Sequence, residues 1–112
     1  MEEISVSEPW FSYICSGKKR IEGRLNKGKF SSLNKKQVIK IIKENTNKSC
    51  IVKILNIVKY NTFEEYLSQE GLKRTLPNIK TIDLGVNIYR QFYSIEAEQQ
   101  YGILAIYIKK VD

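Results

Sequence analysis

The chain has 112 residues, of which 42% are hydrophobic and 28% charged, with a formal net charge of +7 and no histidine. This length predicts one domain, residues 1–112, with a core large enough to form without disulfides or a metal ion. The absence of histidine argues against a zinc site and excludes a Ser–His or Cys–His nucleophile pair. No apolar run approaches a membrane span and no charged-then-apolar leader is present, so we expect a soluble cytoplasmic protein with no membrane partner.

The positive charge is concentrated in one part of the chain. Residues 1–16 have three acids and no base (−3), residues 17–60 have thirteen bases and two acids (+11), and residues 61–112 have six bases and seven acids (−1). A basic block of this kind favours a nucleic acid or another phosphate-bearing partner. An AT-rich coding sequence, which accumulates Lys, Asn and Ile, would also raise the charge of this block.

The first part of the chain predicts a strand, a helix and a second strand. Residues 3–6 fit a short strand, and Ser7 is predicted to cap the helix that follows. Gly17 fits the left-handed position that ends this helix. Residues 19–25 then predict another strand. The apolar face of the helix is predicted to contain Trp10, Tyr13 and Ile14.

The middle of the chain predicts a hairpin. Residues 38–42 and 50–58 are rich in β-branched side chains, and a polar turn separates them. Cys15 and Cys50 fit no metal-binding spacing. We expect both to be free thiols that fill the core in a reducing compartment.

The last part of the chain predicts three helices and a closing strand. Thr62 and Glu65 form a capping box that begins a helix. Apolar residues at helical spacing predict a longer amphipathic helix over residues 82–93. Ser94 begins a short acidic helix, and residues 102–111 form the closing strand. This mixture of elements predicts an α+β domain built on a small, mostly antiparallel barrel.

Residues 17–24, GKKRIEGR, place one acid among basic side chains. The alternation of a strand predicts that Arg20, Glu22 and Arg24 share one face. A carboxylate between two guanidinium groups stays ionised, and the spare arginine donors remain free for an anionic ligand such as a nucleotide. The alternative interpretation is a solvated, salt-bridged edge strand.

The order of these features resembles the ASCH (activating-signal-cointegrator homology) family of the PUA-like superfamily. The resemblance begins with an aromatic helix and continues with the string G-x-K-x-x-E-x-R, formed by Gly17, Lys19, Glu22 and Arg24. It extends over nearly the whole chain, through residues 23–30, 58–60, 66–67, 70–72, 76–77, 89–93 and 101–106. The resemblance implies a PUA-like barrel with flanking helices that binds RNA, single-stranded nucleic acid or a modified nucleoside in a pocket of Lys19, Glu22 and Arg24.

The same resemblance leaves a catalytic alternative open. In related bacterial acetylcytidine amidohydrolases, the motif lysine assists a threonine nucleophile three residues later. That position is Glu22 here, so the threonine mechanism does not transfer. A hydrolase in this pocket, either a ribonuclease or a modified-cytidine amidohydrolase-like enzyme, would use Lys19 and Glu22 as its catalytic residues. A protein-interaction module is a third interpretation, and no particular residue supports it.

Several further side chains are candidates for contacts with a nucleic acid. Tyr89 and Tyr93 could stack on a base, but they lie on the apolar stripe and are expected to be core residues. Arg90 could contact a phosphate, and its alternative role is a surface ion pair with Glu96 or Asp83. Lysines beside turns, including Lys35 and Lys36, would follow a phosphate backbone. We expect no cofactor, no metal and a monomer. The candidate nucleic-acid-binding residues are Trp10, Arg20, Arg24, Lys27, Lys29, Tyr60 and Arg90.

Overall fold

The computed structural model describes residues 1–112, which form five strands and five α-helices. The strands are β1 Glu3–Val6, β2 Ile21–Leu25, β3 Val38–Lys43, β4 Ser49–Tyr60 and β5 Ile103–Lys110. The helices are α1 Trp10–Cys15, α2 Phe63–Glu70, α3 Leu72–Thr75, α4 Ile82–Arg90 and α5 Ile95–Tyr101. The longest of these helices has nine residues, and none has the length and apolar character needed to span a lipid bilayer.

The five strands form one sheet in the order β1-β3-β4-β5-β2, which curves into a half-barrel. Strand β1 runs parallel to β3, and the other three pairings are antiparallel. The predicted α+β class and the mostly antiparallel barrel are therefore confirmed. Strands β1 and β2 are the two edges of the sheet, so the open side of the half-barrel lies between them.

The core has two parts, one on each side of the sheet. Helix α1 packs with strands β1, β3 and β4 around Ile4, Phe11 and Ile39. Helices α2 and α4 pack with β2 and β5 around Phe63 and Tyr66. Trp10 packs against both parts. The residues at the start of α1 therefore lie at the boundary between the two halves of the core.

The helix ends follow the sequence in most places. Thr62, Thr81 and Ser94 each accept a hydrogen bond from the backbone N–H three residues later, as N-caps do. The prediction that Ser7 caps α1 is wrong. The helix begins at Trp10, and the Glu8 carboxylate accepts from the Ser12 N–H at 2.8 Å instead.

The prediction of free cysteines is also wrong. Cys15, at the end of α1, forms a disulfide with Cys50, at the start of β4, and their Cα atoms are 6.0 Å apart. The pair meets because α1 packs on the neighbouring strand β3, which is paired with β4. Thirty-five positions separate the two residues in sequence, so their spacing gave no sign of this proximity. The disulfide removes the argument for a reducing compartment that rested on free thiols.

Candidate functional site

A cavity of about 210 Å³ lies at the open side of the half-barrel. One wall comes from the end of β1 and the start of α1, and the other comes from β2 and the end of α4. Several of its side chains belong to the segment that the sequence singled out. The lining includes Trp10, Lys19, Glu22, Arg24, Tyr89 and Tyr93.

Three charged side chains form a cluster in the wall of this cavity. The Glu22 carboxylate accepts from Arg24 Nε at 2.8 Å, and its other oxygen lies 3.3 Å from Lys19 Nζ. The Lys19 side chain is only 1% exposed. Its ammonium also donates to the backbone carbonyls of Ile21, at 2.6 Å, and Thr75. Lys19 is therefore fixed by three acceptors and does not move freely in the cavity.

Arg24 joins the two edge strands of the sheet. Its Nη2 donates to the Ser5 carbonyl oxygen on β1 at 2.9 Å, while its Nε is bound to Glu22. Its guanidinium also lies over the Phe30 ring, 5.0 Å from the ring centroid. These contacts fix the plane of the guanidinium. They use two of its five N–H groups, Tyr93 also interacts with the guanidinium, and the donors that remain can bind a ligand.

Burial and charge act in opposite directions on this cluster. Burial alone raises the pKa of Glu22, but the charges of Arg24 and Lys19 outweigh it and hold that pKa below its ordinary value. Burial lowers the pKa of Lys19, and the nearby Glu22 carboxylate opposes this effect only in part. Burial lowers the pKa of Arg24, but the charge and hydrogen bond of Glu22, together with Tyr93 and Tyr89, outweigh it, so that this pKa is raised. Glu22 is therefore an ionised, immobile acceptor.

Close packing against Tyr66 explains why a glycine, Gly23, stands between Glu22 and Arg24. The Arg20 carbonyl accepts from the Ile108 N–H on β5, and the Asn26 N–H donates to Gly102, just before β5. The backbone groups of even-numbered residues in β2 therefore point toward β5, and those of the odd-numbered Gly23 point toward the open edge. A Cβ atom at Gly23 would lie 2.7 Å from the Tyr66 ring. The Tyr66 hydroxyl in turn lies 3.1 Å from that of Tyr89, which lines the cavity. Gly23 thus allows the close packing that positions this wall.

The structure brings four of the sequence-predicted site residues together. Glu22 and Arg24 share a face and are paired, and Lys19 and Trp10 line the same cavity. Lys27 and Lys29 line a second, adjoining concavity.

Three other predicted site residues lie outside both concavities. Arg20 precedes β2 and lines separate surface grooves, so it does not share the face of Glu22 and Arg24. Tyr60 donates its hydroxyl to the buried carboxylate of Glu70. Arg90 is paired with Glu98 at 2.7 Å, which is neither of the partners expected for it.

Aromatic residues at and just after the end of α4 line the cavity, although the sequence predicted Tyr89 and Tyr93 in the core and did not predict Phe92 as a site residue. Tyr89 is buried as expected, yet it also lines the cavity, as does Tyr93. Burial raises the pKa of Tyr93, so its hydroxyl is a neutral donor. Phe92 is 62% exposed and stands at the cavity edge. The one sign of this in the sequence is that Phe92 is apolar but lies off the apolar stripe of the helix predicted over residues 82–93.

The basic block of the chain is partly neutralised by the N-terminal acids. Because β1 lies beside β3, Glu3 meets Lys40 at 3.8 Å, and the following Glu8 meets Lys43 at 3.4 Å. Glu2 lies 4.0 Å from Lys29. Residues 1–60 therefore combine −3 and +11 into a net charge of +8. The net charge of this part of the chain remains positive, but it is smaller than that of residues 17–60 alone.

A half-barrel sheet with helices on its flanks is the α+β fold of PUA-like proteins. The ASCH domain model matches residues 4–112, and the chain belongs to the ASCH family. No curated protein matches the chain.

Solved structures extend this comparison. The crystal structure of the hypothetical protein PH0355 is 38% identical with a TM-score of 0.90, and the match covers 99% of this chain and 100% of that one. The solution structure of PF0455 from Pyrococcus furiosus is 36% identical with a TM-score of 0.82, covering 99% and 97%. A ZmASCH mutant protein from Zymomonas mobilis shares the fold at 14% identity, with a TM-score of 0.64 and coverage of 98% and 73%.

Proposed function

We propose that this ASCH domain binds one nucleotide of a single-stranded RNA, or a modified nucleoside, in the cavity between β1 and β2. The observation that carries the proposal is the cluster in which Glu22 is fixed between Lys19 and Arg24 in the cavity wall. The PUA-like fold of the family is often linked to RNA binding, which supports this class of ligand.

The size of the cavity favours a single base. Its volume of about 210 Å³ is below the range of roughly 300–1,000 Å³ that is typical of sites for drug-sized ligands. A base that enters this space leaves its sugar and phosphate at the rim. Sequence-specific recognition of RNA commonly uses a splayed base of this kind, held by stacking and by hydrogen bonds to its edge.

The chemistry of the wall matches both parts of a nucleotide. The Glu22 carboxylate is an acceptor for base N–H groups, and the free donors of Arg24 suit a carbonyl or a phosphate oxygen. The backbone N–H and C=O of Gly23, which also lines the cavity, add one donor and one acceptor. Trp10 and Tyr93 supply ring faces for stacking, which contributes roughly 1–3 kcal/mol per base.

Nuclear magnetic resonance tests this proposal directly. Titration of labelled protein with a single-stranded RNA hexanucleotide of mixed sequence is expected to shift the Gly23 and Arg24 amides and the Trp10 indole. The matching deoxyribose oligonucleotide measures the contribution of the 2′-hydroxyl. Shifts confined to the lysines at 35 and 36, with none around the cavity, would show that the protein binds only through its surface charge.

A hydrolase in the same cavity is the second candidate. The observation that favours it is the lowered pKa of the buried Lys19, since a lysine of lowered pKa is suited to proton transfer. The lowered pKa of Glu22 opposes a general-base role for that carboxylate. An enzyme here would therefore use Lys19 to transfer the proton and Glu22 to hold the Lys19 amine in position.

Activity assays separate this enzyme from a binding domain. The substrates are single-stranded RNA and N4-acetylcytidine, with and without a divalent metal. Lys19→Met keeps the bulk of the side chain and removes the amine, so it should reduce turnover by about 100-fold or more if Lys19 transfers the proton. Equal trace cleavage by the wild type and Lys19→Met would identify a contaminant. The enzyme would then be ruled out, and only the binding function would remain.

A further inference from the structure

A second concavity of about 620 Å³ adjoins the cavity. One wall is formed by residues 27–30, which follow β2, and the other by residues 92–94, which follow α4. Phe92 and Tyr93 line both spaces. The Arg24 guanidinium, part of the cavity wall, also packs on Phe30 in the second concavity. The two spaces are therefore adjacent, and the rings of Phe92 and Tyr93 form an aromatic ridge between them.

Phe92 is the distinctive side chain of this ridge. Its ring is 62% exposed, and it touches Tyr93 in a tilted arrangement with centroids 6.3 Å apart. Single exposed apolar residues are common on protein surfaces and need no explanation by themselves. Phe92 differs because its exposed ring stands between two concavities and shares the second with another aromatic ring, that of Phe30.

The charge of the second concavity is entirely positive. Lys27 and Lys29 are its charged lining residues, and no acid lines it. Lys29 donates to the Glu3 carbonyl at 2.6 Å and is partly engaged within the protein. Lys27 lies over the Tyr101 ring, 5.0 Å from the centroid, and forms no ion pair. Its ammonium is therefore available to an anion at the rim.

We propose that this second concavity binds the nucleotide next to the one in the cavity, with its base stacked on Phe92 and its phosphate contacted by Lys27. This inference rests on the proposed function and makes it more specific. Aromatic rings beside cationic side chains are the common means of holding a single strand without reading its sequence. The ligand is then an RNA segment of at least two nucleotides, and a free nucleoside fills only the cavity.

Two variants test this subsite. Phe92→Ala removes the stacking ring, and Leu84→Ala is the matched control, since Leu84 is 51% exposed on α4 and lines neither concavity. The dissociation constants of a mixed-sequence RNA hexanucleotide and of the four ribonucleoside monophosphates are measured by calorimetry. Phe92→Ala is expected to weaken hexanucleotide binding roughly five-fold or more. Because Phe92 stands only at the edge of the cavity, this variant should weaken mononucleotide binding by a clearly smaller factor than hexanucleotide binding, and Leu84→Ala should change neither.

The outcomes separate this inference from the function on which it rests. Unchanged hexanucleotide binding in Phe92→Ala, or an equal loss for mononucleotides, would overturn the subsite. If Arg24→Ala then still weakened the hexanucleotide, the cavity would remain the binding site. If the wild-type protein bound neither the hexanucleotide nor any mononucleotide, both proposals would fall.

Discussion

Arg24 on one edge strand donates a hydrogen bond to the carbonyl oxygen of Ser5 on the other, across 2.9 Å. The sheet itself does not close, because β1 and β2 are the first and last strands in its order. A side chain therefore completes the connection that a strand pairing would otherwise make. The same guanidinium holds Glu22, so the link across the barrel opening and the charged cluster of the cavity depend on one residue.

The pKa of Glu22 predicts how stability depends on pH. Its folded-state pKa lies below the ordinary value of 4.5, so the ionised form stabilises the fold above that pH. This contribution is lost as the pH falls below 4.5 and through the folded-state pKa. At neutral pH, Glu22→Gln should destabilise the protein by about 3–5 kcal/mol, because it leaves Lys19 buried without its counter-charge.

Thermal unfolding of wild type and Glu22→Gln from pH 7 down to pH 3 measures this effect. The difference between the two melting temperatures should shrink as the pH falls below 4.5, because the wild-type carboxyl also becomes neutral. Glu64→Gln changes an exposed carboxylate and should leave the melting temperature nearly unchanged throughout. A constant difference between wild type and Glu22→Gln would contradict the lowered pKa.

A methyl group added at Gly23 should disturb the cavity wall. Gly23→Ala places a Cβ 2.7 Å from the Tyr66 ring, and overpacking of this kind costs about 1–3 kcal/mol. Denaturant unfolding of Gly23→Ala, Tyr66→Leu and the double variant measures the loss in the free energy of unfolding. The smaller leucine removes the atoms that the methyl group meets, so the two changes should be less than additive. Full additivity would mean that Gly23 and Tyr66 do not interact.

The local pairings of the site could be predicted from the sequence. Alternation along a strand was sufficient to place Glu22 beside Arg24, because residues of the same parity share a face. Turn and capping residues likewise predicted the hairpin of β3 and β4 and the helix that begins after Thr62. These features depend on neighbours within a few positions, and the chemistry of those neighbours is visible in the sequence.

The remaining features depend on contacts between distant segments. Cys15 meets Cys50 only because α1 packs beside the β3–β4 hairpin. Tyr60 was a candidate for stacking, but the fold places its hydroxyl on Glu70. Phe92 lies off the apolar stripe of the predicted helix, but its place at the cavity edge depends on where α4 ends, which the sequence does not show. Packing of this kind leaves no periodic signal in the sequence.

The disulfide makes a separate prediction. Thiol titration of the unfolded, unreduced protein should find no free thiol, and reduction should expose both cysteines. Removing the cross-link is expected to lower the free energy of unfolding by about 2–4 kcal/mol. The variant with both cysteines replaced by serine should be as unstable as the reduced protein and insensitive to reductant. Two free thiols in the unreduced protein would contradict the observed pairing of Cys15 and Cys50.

The most direct test of the cavity compares two arginines of the same segment. Arg24→Ala and Arg20→Ala each remove one positive charge, but only Arg24 lines the cavity. Affinity for the RNA hexanucleotide should fall about ten-fold or more in Arg24→Ala, the scale of a lost charge-assisted hydrogen bond. It should fall by less than about three-fold in Arg20→Ala.

Thermal unfolding tests whether both variants are folded. If Arg24→Ala is not folded, Arg24→Lys takes its place, with Arg20→Lys as the control. Lysine retains the charge but lacks the planar fork that holds both Glu22 and Ser5. The cavity site predicts that affinity for the RNA hexanucleotide depends on Arg24 and much less on Arg20. Equal losses at the two positions would contradict it, since binding would then follow net charge alone.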